Sequence, residues 1–303
     1  MRLLYRRRAA STRPPPRRIR PVRAAPDAGA SHRMGAGMRT LSLLSASIRD
    51  LGLAATLDQL PSYLLTPLTM RRLKRRKLAE LSRDGFDAAH GTDTAGVLVG
   101  RELGPCVTRA GHVVVPYETT SEAAVRLALD GLSPDFTRSV FVDLGCGKGK
   151  PLMIASTYPF RRLIGVDISP ACVAVARRNV ARYGPVKIDP SRVELRVQDA
   201  MDFEFPLDPL VVYLYNPFPG AVLDRVVANL EASLRERPRQ AAVIYVNPHA
   251  LSALRQSELF ERVPTIADRL PLAALGARDH ERAAMFVTRP GVAGQCSDEA
   301  PED

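Results

Sequence analysis

Phe141–Lys150 reads FVDLGCGKGK, an apolar run broken by three glycines at alternate positions, Gly145, Gly147 and Gly149. The residues SVFVDL ending at Leu144 predict a buried strand and LMIASTYPF from Leu152 a helix, so the glycines fall on a strand-to-helix turn. A turn without side chains lets a ligand touch the backbone, and the first turn of the helix adds unpaired N–H groups. Close packing of strand against helix makes the same demand. The spacing here is G-x-G-x-G, whereas the dinucleotide fingerprint is G-x-G-x-x-G. The phosphate loop needs four residues between its glycines and a Ser or Thr after its Lys, where this chain has Pro151. Both phosphate readings are weakened.

On either side of the turn the pattern alternates between strand and helix. PYETTSEAAVRLALDGL offers Thr120 or Ser121 as the cap of a helix running to about Asp130. After the glycines, RRLIGVDI predicts a second strand, ACVAVARRNVARY a helix with Cys172, Ala176 and Val180 on one stripe, and VELRVQDA a third strand. PLVVYLYNPF is a strand, AVLDRVVANLEASL a helix with Val222, Val226, Leu230 and Leu234 in register, and AAVIYVNP a further strand. Repeated βα units of this kind predict an α/β fold with a parallel sheet covered on both faces. Acidic residues stand at three successive strand ends: Asp143 before the glycine turn, Asp167 after the second strand and Asp199 after the third. A carboxylate at the second strand end suits the hydroxyls of a ribose, and one at the third is within reach of an adenine amino group. Each alone is as well explained by a helix cap or a turn.

These motifs resemble those of the class I, seven-strand S-adenosylmethionine-dependent methyltransferases over roughly residues 115–290. VDLGCGKG is similar to their first motif, GVD with Asp167 to the ribose-binding position, QDA with Asp199 to the adenine position, and YNPF to the motif after the fourth strand. The resemblance implies a Rossmann-like seven-strand sheet with helices on both faces and S-adenosyl-L-methionine as cofactor. It also implies that Gly145, Gly147 and Gly149 hold the methionine portion and that AAMFVTR forms an antiparallel last strand. FDAAHGTDTAG (Phe86 to Gly96), followed by VDLGCGKGK, YNPF and YVNP, is similar to a group of bacterial methyltransferases of undetermined substrate. A looser likeness to the non-SET, seven-strand lysine methyltransferases implies a cofactor role for Tyr117, Glu118 and Thr119 and a substrate role for Asn216 and Phe218. This chain departs from that pattern at Pro217 and Lys148.

Methyl transfer is a direct displacement, so the acceptor must be aligned and water kept away, with no covalent intermediate on the protein. Asn216 offers a side-chain carbonyl to an amine N–H, the Pro217 carbonyl offers another acceptor, and Tyr215 or Phe218 can wall the site. The competing reading of Asn-Pro is a helix cap with a first-turn proline. That reading fits Asn247 and Pro248, where a helix is expected to begin at once, better than Asn216, where the helix is expected after Gly220. The expected reaction is transfer to an amine nitrogen, with a protein side chain favoured over a nucleic-acid base. His249 is a candidate base, but a capping turn is the better explanation of it.

Charge and composition bound the remainder. The net charge of +11 suggests a nucleic-acid binder, yet residues 1–40 hold eleven Arg against the single Asp27, so the rest of the chain is nearly neutral. The stretch 1–40 is expected to be a disordered basic tail, read first as a solvated extension and alternatively as an arm for weak electrostatic contact with nucleic acid or anionic lipid. A nucleic-acid-binding protein on a methyltransferase-like fold and an NAD-type oxidoreductase are the rival classes. Residues 41–114 are expected to form a helical N-terminal extension, with Met70, Leu73, Lys77, Leu78 and Leu81 on one face, and an ordered loop at 86–96. By the resemblance, residues 115–290 are expected to form the methyltransferase domain, and 291–303 an acidic disordered tail. No uninterrupted apolar run reaches the ~18 residues of a spanning helix. Cys106, Cys146, Cys172 and Cys296 are scattered without a C-x-x-C pair, so no metal site is expected and the compartment is expected to be cytoplasmic.

Overall fold

A computed structural model describes residues 85–98, 103, 115–183, 189–218, 220–248, 250–264 and 282–292. The basic tail, the helix face from Met70 to Leu81, His249, Cys106, Cys296 and the acidic end all lie outside the described residues.

The described chain opens with a short helix α1 (Phe86–His90) and a strand β1 (Val97–Leu98) paired antiparallel with β2 (Tyr117–Glu118). Helix α2 (Glu122–Asp130) starts at Ser121, whose hydroxyl accepts from the Ala124 N–H at 3.2 Å, so Ser121 and not Thr120 is the cap. Then follow β3 (Val140–Leu144), α3 (Lys150–Ala155), β4 (Arg162–Asp167), α4 (Pro170–Arg182) and β5 (Val193–Val197). Ser169 caps α4 through the Cys172 N–H, and Pro170 fills the first helical position, where no N–H is required. The second half continues with β6 (Leu210–Tyr215), α5 (Gly220–Glu236), β7 (Ala241–Val246), α6 (Ser252–Gln256), β8 (Phe260–Val263) and β9 (Ala283–Thr288).

The seven-stranded sheet has the order β5-β4-β3-β6-β7-β9-β8. The first five of these are parallel, and β9 runs antiparallel to both β7 and β8, as the resemblance implied. Strand β8 is absent from the sequence reading; its four residues carry too short an alternation to stand out. All five residues of β3 are buried because the sheet is covered on both faces. Val142 and Leu144 join one apolar cluster with Val212, Val222 and Val226 of β6 and α5, while Phe141 joins the other with Leu152, Met153 and Tyr213. A Leu-to-Ala truncation at so enclosed a position costs about 2–5 kcal/mol.

Two helix details differ from expectation. The buried stripe of α4 is Cys172, Val173, Ala176 and Asn179, with Val180 half-buried beside it. Asn247 caps no helix, since α6 starts only at Ser252. Its N–H donates to the Arg282 carbonyl at 2.7 Å, its Oδ1 accepts from the Arg282 N–H at 3.1 Å, and its Nδ2 donates to the Tyr215 hydroxyl at 3.1 Å. It ties the entry of β9 to the end of β6.

Candidate functional site

Crossovers run outward to β4 and β5 on one side of β3 and to β6 and β7 on the other, so the chain reverses direction between β3 and β6. At such a switch point the loops leaving two neighbouring strands part and open a crevice at their carboxyl ends. The glycine turn leaves β3 and the Asn216–Phe218 loop leaves β6, and a cavity lies between them. Asp143, Gly145, Asp167, Asp199, Tyr117, Glu118, Thr119, Tyr215, Asn216 and Phe218 all line it. Gly147 and Gly149, expected beside Gly145 at the cofactor, are not among its lining residues; they face Tyr117 and Ala176 instead.

Each glycine has a positive φ, at 80°, 51° and 83° for Gly145, Gly147 and Gly149, a region in which an ordinary side chain costs roughly 1–2 kcal/mol. Each also faces another part of the protein. A Cβ on Gly145 would stand 2.5 Å from Pro217 Cβ, one on Gly147 2.3 Å from the Tyr117 ring, and one on Gly149 3.1 Å from Ala176 Cβ. The turn is glycine-rich because the β6 loop, β2 and α4 close on it. The sequence could not separate this packing demand from a ligand's.

The acids at the strand ends occupy different environments. Asp143 is 2% exposed, and its Oδ2 has no hydrogen-bond partner among the described residues. Burial first, and then the charge of Asp167, holds its carboxyl well above the usual carboxylate range. Asp167 accepts from the Gly147 N–H at 2.8 Å and the Ser169 N–H at 2.7 Å. Burial raises its pKa and these two bonds pull it back down. Asp199 accepts from the Met201 N–H at 3.0 Å, capping a turn of 3-10 helix at the cavity edge. Tyr117 spends its hydroxyl on the Thr94 carbonyl at 2.6 Å, so the ring and not the phenol faces the glycine turn. Thr119 is buried and Glu118 half-buried beside it.

On the opposite rim, Asn216 has φ 39°, a left-handed conformation that asparagine tolerates better than most residues. Its N–H donates to the Val246 carbonyl at 3.1 Å, and its side-chain amide makes no hydrogen bond among the described residues. Tyr215 packs with the apolar cluster on one face of the sheet and Phe218 with that on the other. Among the described residues no group of His, Cys, Asp and Glu has the arrangement of a metal site, and no helix is long and apolar enough to cross a membrane.

The sequence reading missed Pro217 as the neighbour of Gly145, and it missed Asn179, Asp93 and Lys148 behind the turn. A polar Asn inside the buried stripe of α4 was the available signal.

Residues 141–239 match the family model described as a methyltransferase domain. With the seven-strand order, the switch-point cavity and the acids at its strand ends, this makes the chain an S-adenosylmethionine-dependent methyltransferase of the class I kind. Among curated proteins it is 24% identical over 243 residues to the ribosomal protein L11 methyltransferase of Dechloromonas aromatica (strain RCB), spanning 78% of this chain and 73% of the relative. Among solved structures it is similar to the ribosomal protein L11 methylase of Lactobacillus delbrueckii subsp. bulgaricus, at 14% identity and TM-score 0.38, covering 55% of this chain and 78% of that one. It is also similar to magnesium protoporphyrin IX methyltransferase from Synechocystis PCC 6803, at 16% identity and TM-score 0.38, covering 55% and 76%.

The cavity suits the cofactor on its own terms. Asp143 presents an enclosed carboxylate oxygen lacking a partner, which an ammonium group would satisfy, and Asp167 keeps spare lone pairs for hydroxyl donors.

Proposed function

We propose that this methyltransferase acts on an amine nitrogen carried by a protein side chain, with Asn216 orienting the acceptor. The observation that carries the reading is Asn216 itself: a left-handed asparagine lining the cavity with Tyr215 and Phe218, its side-chain amide unengaged among the described residues. Its carbonyl oxygen would accept one N–H of an incoming amine, and the Pro217 carbonyl would accept a second. Acceptors at those points leave the nitrogen lone pair free for attack. Bound S-adenosylmethionine supplies a methyl group made electrophilic by its sulfonium sulfur. Asp143 would hold the amino group of its methionine part, Asp167 the ribose hydroxyls and Asp199 the adenine amino group, with Tyr117, Glu118 and Thr119 closing the wall beside Gly145. Tyr215 and Phe218 exclude water from the acceptor side. A protein acceptor is supported by the L11 methyltransferase relative, whose name states a protein substrate. The scattered cysteines favour a cytoplasmic setting.

The test compares Asn216→Gly with Asn216→Ala. Glycine accepts the left-handed φ without strain, so loss of function in that variant reports the missing amide and not a distorted loop. Turnover on isotopically labelled methyl donor is expected to fall by about a hundredfold, with cofactor affinity nearly unchanged. Mass spectrometry of the product is expected to show the methyl on nitrogen. A methyl on oxygen or sulfur, or full turnover by the glycine variant, refutes the assignment.

A further inference from the structure

The segment FDAAHGTDTAG stands apart from the reaction described above, yet it is held by a dense set of hydrogen bonds. Asp87 organises it: one carboxylate oxygen accepts from the Thr92 and Thr94 hydroxyls at 2.7 and 2.9 Å, and the other from the Ala95 N–H at 2.7 Å. The Thr94 N–H lies 2.8 Å from both oxygens. These bonds draw the Asp87 pKa down against the upward pull of burial, as expected of a carboxylate solvated by the chain itself.

The segment so folded grips the back of the glycine turn at three points. Asn179 of α4 is 1% exposed; its Oδ1 accepts from the Asp93 N–H, and its Nδ2 donates to the carbonyls of both Asp93 and Lys148, each at 2.9 Å. Lys148, between Gly147 and Gly149, reaches back to donate to Asp93 Oδ1 at 2.8 Å and the Ala95 carbonyl at 3.0 Å. Tyr117 bonds the Thr94 carbonyl through its hydroxyl, while its ring fills the space next to Gly147 and lies 5.6 Å from the Lys148 ammonium. Gly147 in turn donates its N–H to Asp167.

We propose that Asn179, Asp93 and Lys148 form a latch through which segment 92–95 fixes the glycine turn and the Asp167 carboxylate, making Asn179 a positioning residue for S-adenosylmethionine. The bonds run continuously from Asp93, through Asn179 and Lys148, to Gly147 and Asp167. Lys148 therefore serves the fold of the turn and is spent before any phosphate or substrate could claim it. The inference rests on the cofactor-site reading above, in which Asp167 touches the cofactor.

Calorimetry of the full chain with S-adenosylmethionine tests it. Asn179→Asp keeps the shape and the bond from the Asp93 N–H but turns both donations into oxygen facing oxygen; it is expected to raise Kd by at least about tenfold. Because the effect passes through Asp167, the same substitution in an Asp167→Ala background is expected to change Kd by less than about twofold. Ser257→Ala removes a hydroxyl bonded to Glu231, remote from the site, and is expected to lower Tm without moving Kd. Unchanged affinity in Asn179→Asp, or an equal loss in both backgrounds, overturns the latch. Asp167→Ala with full affinity overturns the site assignment and the latch together, whereas a weak Asp167→Ala beside a normal Asn179→Asp removes the latch alone. Should Asn179→Asp not fold, Asp93→Ala carries the test, since that side chain is 63% exposed and its loss spares the core. It is expected to weaken binding about threefold, and an unchanged Kd there also refutes the proposal.

Discussion

Asp143 sits in an environment that ties its protonation to folding. Its folded pKa is raised, by burial and then by Asp167, so the folded chain keeps a proton that the unfolded chain has already released. Stability should therefore fall as pH rises from the ordinary carboxylate range through the raised value. Asp143→Asn cannot titrate; its stability should decline less over that window and exceed the parent's above it. Asp167, also raised, leaves a smaller residual slope. Urea unfolding at a series of pH values checks this, and parallel curves for parent and variant would count against a buried proton on Asp143. Cofactor affinity should move the opposite way in the parent, rising with pH, because an ammonium group selects the ionised carboxyl. That Asp143, Asp167 and Asp199 meet at one cavity was legible from their places at strand ends. The empty bonding capacity of Asp143 Oδ2 was not, since burial of a single oxygen depends on parts of the chain far from it in sequence.

At the scale of elements, the turn after β3 and the strand β2 are matched surfaces. Gly147→Ala combines a positive φ with a Cβ 2.3 Å from a ring atom of Tyr117, and it should cost about 2–4 kcal/mol. Most of that clash disappears if Tyr117 is also replaced by Ala, so the double variant should be more stable than the sum of the singles predicts. Denaturant unfolding of the four proteins measures the coupling, and strict additivity would show that the ring does not set the requirement for glycine. The long elements were readable because their period extends over several turns: Val222, Val226, Leu230 and Leu234 of α5 are all buried as their spacing predicts. The two-residue β1 and β2 and the four-residue β8 were not, for their existence rests on a partner strand and not on any local pattern. Asn247 shows the same limit. Asn-Pro announces a break in the chain, and only the neighbouring Arg282 and Tyr215 decide what the side chain does there.

For the whole molecule, charge and chemistry are separated along the sequence. Nearly all of the net charge of +11 belongs to residues 1–40, whereas the cavity is lined by residues from Leu103 onward. Removing residues 1–38 should abolish salt-sensitive retention on heparin while leaving the Kd for S-adenosylmethionine unchanged. Loss of cofactor affinity on truncation would give the tail a part in the site that composition does not suggest. The sheet carries a further consequence for how the protein is made. Strand β7 is buried along all six residues, and its outer neighbour, β9, is the last strand in sequence among the described residues. During synthesis β3 to β7 can assemble while β9 is still inside the ribosome, and for that interval an apolar strand stands with one edge unpaired. Translation pausing between residues 246 and 283 would prolong that interval, so the nascent chain's exposure to misassociation is governed by how promptly its closing strand emerges.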